Sequence, residues 1–166
     1  MLPDARERAV VAFEESDGIS GYRHTLEKDA LFGLLLALEM MAETGKNLSD
    51  YLEDLFKEYG AFYPDRSGIS VERSLAGPIL REKIGKLAGE FPEGKTLSVG
   101  EKKLKITKQI TLDGLKLVLE DGSWLMIRPS GTEPKVRFYI EARDPEEKES
   151  LFQLAEALTR KAIGGE

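Results

Sequence analysis

Hydrophobic positions along this chain change period about half-way, from the three- and four-residue steps of helices to the alternation of strands. At the start, Ala9, Val10, Val11, Ala12 and Phe13 form an unbroken apolar run, which predicts a short buried strand of parallel-sheet type over residues 8–13. The polar stretch from Glu14 to Gly21 leaves it as a loop. Between Glu27 and Glu43, Ala30, Leu31, Leu34, Leu35, Leu38, Met41 and Ala42 recur at helical spacing and Thr44-Gly45 closes the pattern, so an amphipathic helix is expected. A second helix is expected from Leu48 to Tyr59, with Asn47 or Ser49 as N-cap and Gly60 as its stop.

From Ala61 to Ser74 aromatic and β-branched residues flank a Pro-Asp-Arg-Ser-Gly turn, the composition of an exposed hairpin or linker. A domain boundary is therefore expected near its end, dividing the chain into residues 1–72 and 73–166. A helix is expected from Pro78 to Ala88, with Ile79, Leu80, Ile84 and Leu87 as its stripe. Strands follow at Leu104 to Thr111, Leu115 to Glu120 and Ser123 to Arg128, joined by Asp113-Gly114 and Asp121-Gly122 turns. In a fourth strand, Lys135 to Ala142, Val136, Phe138, Ile140 and Ala142 alternate with Lys135, Arg137, Tyr139 and Glu141, so one face is buried and the other wet. Asp144 as N-cap, Pro145 and Glu147 then open a last helix as a capping box. The fold class expected is an α/β tail of one strand and two helices, followed by an α+β domain with a four-stranded antiparallel sheet and helices on one face.

Composition narrows the chemistry. The 166 residues are 41% hydrophobic and 33% charged, the balance of a soluble globular protein. No apolar run approaches the ~20 residues of a membrane span, and the first residues lack a secretory cleavage pattern, so a cytoplasmic location and no membrane partner are expected. There is no cysteine and a single histidine, His24, which removes disulfides, thiolate nucleophiles and imidazole-based metal cages. A net charge of −6 argues against general nucleic-acid binding but allows a local basic cluster that holds a small anion.

Two loops carry candidate chemistry. Arg128-Pro129-Ser130-Gly131-Thr132-Glu133-Pro134 combines a guanidinium fork, two hydroxyls and a glycine amide, a set that suits phosphate. By composition alone it is equally a plain strand connection. Phe13-Glu14-Glu15-Ser16-Asp17-Gly18 follows the end of a strand, where α/β folds place ligand groups. A carboxylate there accepts hydrogen bonds from neighbouring sugar hydroxyls, and Ser16 donates or accepts; paired glutamates on a loop are also commonly just solvated.

Together the two loops resemble one family. FEESDG with the following KDALFGLLLALEMMA is similar to the sugar-recognition loop and helix of the α-phosphohexomutases (phosphoglucomutases and phosphomannomutases), and IRPSGTEPKVRFYIEA resembles their carboxyl-terminal phosphate-binding segment. The resemblance runs from about Arg6 to Ala162. It implies that residues 1–72 are the end of the family's third, sugar-binding domain with a linker, and 73–166 its fourth domain. It implies that Glu14 and Ser16 contact the sugar, and that Arg128, Ser130, Gly131 and Thr132 hold the non-reacting phosphate. Lys135 and Arg137 are weaker candidates, and His24 is read as structural.

In that family an enzyme phosphoserine gives its phosphoryl group to one end of a hexose phosphate, the bisphosphorylated sugar turns round, and the other phosphate returns to the serine. Hexose 1-phosphate and hexose 6-phosphate are thereby interconverted. Neither a phosphoserine loop nor an Asp-Gly-Asp magnesium loop resembles anything here. The chain is therefore expected to contribute no catalytic residue and no metal ligand, to be inactive alone, and to depend on amino-terminal domains of the same enzyme that carry magnesium. Its expected small-molecule partners are hexose phosphate and hexose bisphosphate. The Phe-Glu-Glu-Ser form also resembles phosphopentomutases, and a stand-alone phosphosugar-binding module remains the alternative.

Overall fold

The computed structural model describes residues 9–14, 18–25, 27–131 and 133–164. The chain divides into two compact units, Met1–Glu58 and Tyr59–Glu166.

In the first unit β1 (Val11–Phe13) and β2 (Ile19–Gly21) form an antiparallel hairpin, closed by hydrogen bonds from the Glu14 N–H to the Gly18 carbonyl and from the Tyr22 N–H to the Val10 carbonyl. This corrects the expected buried, parallel-type strand. The chain turns straight back on itself, and Val10 and Phe13 are 78% and 83% exposed. Helix α1 (Ala30–Thr44) starts later than the periodicity suggests, because Asp29 stays extended and its carboxylate accepts from the Leu31 and Phe32 N–H groups. Gly45 closes it in the left-handed conformation, as expected. In α2 (Leu48–Tyr59), Asn47 is the side chain that caps, accepting from the Asp50 N–H at 2.9 Å. No residue of α1 or α2 is buried.

The second unit is built on one antiparallel sheet. Its strands are β3 (Tyr63–Ser70), β4 (Thr96–Val99), β5 (Lys102–Ile110), β6 (Leu115–Leu119), β7 (Trp124–Pro129) and β8 (Lys135–Ala142), in spatial order β3-β8-β7-β6-β5-β4. The sheet thus has six strands where four were expected. The segment read as a hairpin or linker is β3, paired with β8 along its whole length from Tyr63↔Ala142 to Ser70↔Lys135. Pro64 and Gly68 argued against a strand, but β3 lies at the sheet edge, where a missing N–H is tolerated. Because β3 joins this sheet, the division of the chain precedes residue 72. The other missed strand, β4, is four residues long and pairs Leu97 with Leu104 at the opposite edge.

Helices α3 (Pro78–Gly89) and α4 (Pro145–Ile163) cover one face. Leu80, Ile84 and Leu87 of α3 and Leu151, Ala155 and Leu158 of α4 meet the alternate residues of β6 to β8, including Leu117, Ile127 and Phe138. Each large side chain fully buried here is worth about 1.5–3 kcal/mol. Asp144 caps α4 by accepting from the Glu146 N–H, but the reciprocal half of the capping box is replaced, since the Glu147 carboxylate pairs with Lys102. The opposite face is less wet than alternation implies: Tyr139 is buried, and Lys116 lies over the Trp124 ring, 3.6 Å from its centroid, where burial pushes the ammonium's pKa down. Among the described residues no helix is long and apolar enough to cross a membrane.

Phe138 is fully buried and meets Phe152 edge-on at 5.1 Å between centroids, which joins β8 to α4. Phe138→Ala is expected to lower the stability of the second unit by about 3–5 kcal/mol. Urea unfolding followed by Trp124 fluorescence measures it; a loss under about 1 kcal/mol contradicts this packing.

Candidate functional site

Strand β7 ends and β8 begins in a register that pairs Arg128 directly with Arg137. The neighbours Ile127 and Phe138 point to the helices, so both guanidiniums leave the opposite face at the same end of the sheet. Like charges facing each other across a ladder destabilise it unless something neutralises them. Each arginine has one carboxylate: Arg137 Nη2 donates to Glu133 at 3.0 Å, and Arg128 Nε stands 3.7 Å from Asp113. The second separation is too long for a hydrogen bond. Arg128 Nε is shielded from solvent and has no hydrogen-bond acceptor among the described residues. Glu133 and then Tyr139 raise the pKa of Arg137 further, so its charge is fixed.

The turn between the two strands is held at its base. The Ser130 N–H donates to the Lys135 carbonyl at 2.8 Å, the Lys135 N–H to the Glu133 carbonyl at 2.8 Å, and the Val71 N–H to the Pro134 carbonyl at 2.9 Å. Ser130 Oγ accepts from the Glu133 N–H at 3.3 Å. At the tip Gly131 has open space where a side chain would be. Arg128, Ser130 and Gly131 are thus on one connection; Thr132 lies outside the described residues. Lys135 and Arg137 open β8 beside them. Asp113, the carboxylate nearest Arg128, sits in the hairpin turn before β6, and nothing in its local sequence ties it to a loop further along.

Gly114 sets the approach of that hairpin to Arg128. Its φ is 143°, and a Cβ there would stand 2.2 Å from the Ile127 carbonyl oxygen and 2.9 Å from Arg128 Cα.

In the first unit Glu14 opens the β1–β2 connection, and its carboxylate accepts from Lys28 Nζ at 2.7 Å. With both partners partly exposed, this pair is worth little in stability. Ser16 lies outside the described residues. Sequence reasoning passed over Lys28, which precedes the α1 cap and looked like an ordinary surface lysine. His24 Nε2 is 2.8 Å from Asp29 and its ring stacks on Phe32. The bond to His24, then that to the Phe32 N–H, lowers the Asp29 pKa.

Comparison with known proteins decides the family. The profile for the phosphoglucomutase/phosphomannomutase C-terminal domain matches residues 86–157, and that for the family's alpha/beta/alpha domain III matches residues 3–59. The chain belongs to the phosphoglucomutase/phosphomannomutase family, and corresponds to its C-terminal part. Similar curated proteins include a phosphopentomutase of Thermococcus kodakarensis, 31% identical over 72% of this chain and 23% of its own. A probable phosphomannomutase of Haemophilus influenzae is 31% identical over 78% of this chain and 27% of its own. Phosphoglucomutase 1 of Drosophila melanogaster is 31% identical over 94% and 30% respectively. This chain therefore spans about a quarter to a third of these relatives' length. The open form of pp63/parafusin, a phosphoglucomutase from Paramecium, shares the fold with a TM-score of 0.63 at 20% identity, covering 93% of this chain and 31% of that one.

Gly114→Ala is expected to destabilise the second unit by about 2 kcal/mol or more, from backbone strain plus the clash with β7. Thermal unfolding beside the wild type measures it. Equal stability would show that the hairpin does not press on Arg128.

Proposed function

We propose that this chain is the sugar-recognition and phosphate-gripping part of a phosphohexomutase that interconverts hexose 1-phosphate and hexose 6-phosphate through a bisphosphorylated sugar. The observation that carries the reading is the facing pair Arg128 and Arg137 beside an open Ser130-Gly131 turn, with Arg128 Nε buried and unsatisfied. A phosphate dianion relieves both faults, since it neutralises two cations and supplies acceptors in several directions. Thr132 is assigned to the same phosphate by family resemblance. Glu14 accepts from sugar hydroxyls, with Lys28 fixing its carboxylate, and Ser16 is assigned with it by resemblance.

These groups position the substrate and transfer nothing. Holding the non-reacting phosphate keeps the other end of the sugar in line for transfer, so remote binding energy lowers the barrier. The nucleophilic serine and magnesium belong to domains upstream of the matched regions. On this reading the magnesium ligands belong to those upstream domains as well. The exposed apolar residues of the first unit, Leu31, Leu34, Leu35 and Leu38 among them, are surfaces on which upstream segments of the same enzyme pack, in a cytoplasmic setting. A pentose phosphate is the second reading of the substrate, favoured by the phosphopentomutase among the relatives.

The test follows backbone amide resonances of the chain while glucose 6-phosphate is added, alongside a coupled mutase assay. Ser130 and Gly131 are expected to shift, with affinity in the millimolar range, about 4 kcal/mol. Arg128→Ala should abolish those shifts while leaving the sheet folded, and the chain alone should show no turnover. Shifts that persist unchanged in Arg128→Ala, or turnover above a blank, would overturn the reading.

A further inference from the structure

Ser130 and Gly131 also border an open cleft of about 490 Å³, a size typical of small-molecule sites (~300–1,000 Å³). Its remaining walls come from elements distant in sequence. Arg73 stands on the short helical turn Arg73–Leu75, Gly77 precedes α3, and Arg81 projects from the first turn of α3. Neither Arg128 nor Arg137 lines it. Arg81 and Pro129 are shared with a smaller adjoining hollow of about 160 Å³ under the Asp113-Gly114 turn, so Arg81 stands where the two meet.

The charge of this cleft is one-sided. Unlike Arg128 and Arg137, Arg73 and Arg81 have no carboxylate within ion-pair distance among the described residues. The acidic group on the wall is Glu133, whose carboxylate is already bonded to Arg137. Two unpaired guanidinium forks, a serine hydroxyl and an unobstructed glycine around one concavity form a site for a multivalent oxyanion.

We propose that Arg73 and Arg81 make this cleft a phosphate subsite, gripping the phosphate group of the ligand from the helix side of the turn. The inference deepens the reading above, on which the turn faces phosphate, by adding two binding residues that the loop's own sequence does not contain. Their contribution is ionic and specific to a doubly charged group, so a neutral sugar gains nothing from them.

The experiment titrates the full 166-residue chain with inorganic phosphate, following all amide resonances, for wild type, Arg73→Gln, Arg81→Gln and the double variant. The amides of Gly77 and Arg81 are expected to shift together with those of Ser130 and Gly131. Each single substitution should weaken phosphate about two- to fivefold, as loss of a partly exposed ionic contact does. Arg81→Lys should recover part of the affinity, and unchanged resonances elsewhere confirm that each variant is folded. If Ser130 and Gly131 shift but the glutamine variants bind as wild type does, this inference fails and the loop reading stands. If Gly77 and Arg81 shift without Ser130 and Gly131, the two arginines hold the anion clear of the turn: their assignment stands, while the turn's share in the cleft and the loop reading both fail. Absence of shifts in both groups overturns both.

Discussion

The register between β7 and β8 is the constraint on which the second unit depends. Pairing Leu125 with Ile140 and Ile127 with Phe138 sends four fully buried side chains under the helices. The same alternation necessarily sends Arg128 and Arg137 to the other face, opposite each other. A slip by one residue would expose the apolar set and bury the cations, so the core's hydrophobic free energy is what holds two like charges together. That enforced proximity is the feature on which the proposed anion site rests.

The two units differ in how far they satisfy their own apolar residues. In Tyr59–Glu166 the residues of α3, α4 and six strands close over one another, and Ile106, Leu115, Leu117, Leu125 and Ile127 are wholly shielded. In the first unit Leu31, Leu34, Leu35 and Leu38 of α1 stay at least half exposed, although the helix is well capped at Asp29 and Gly45. Local signals therefore suffice to define its helices, while their apolar sides stay largely uncovered among the described residues, in a segment that matches the family's alpha/beta/alpha domain III.

Much of this was legible from spacing and turn chemistry. The alternation of β8, the Asp-Gly turns and the capped helices gave their elements because each depends on residues close in sequence. β3 was not legible, since Pro64 and Gly68 are strand breakers except at an edge, and only the finished sheet shows where the edge is. β4 was too short to show a period. At the site, the composition of residues 128–134 marked the loop, and family resemblance assigned its role. Asp113, Arg73 and Arg81 come from elsewhere in the chain and reach the loop through folding alone, so no local pattern could reveal them. The hairpin before Glu14 departs from the pattern because an unbroken apolar run predicts burial, whereas Val10 and Phe13 stay exposed among the described residues.

The central claim is that the facing of Arg128 and Arg137 is tolerated for the sake of a phosphate. Its most direct test is the melting temperature of wild type and Arg137→Gln, each with and without saturating glucose 6-phosphate. On this account the variant melts no lower than wild type without ligand, because a like-charge repulsion is removed along with a weak surface pair to Glu133, and it gains clearly less when ligand is added. A variant that melts lower without ligand, yet gains as much from it as the wild type, would contradict the account.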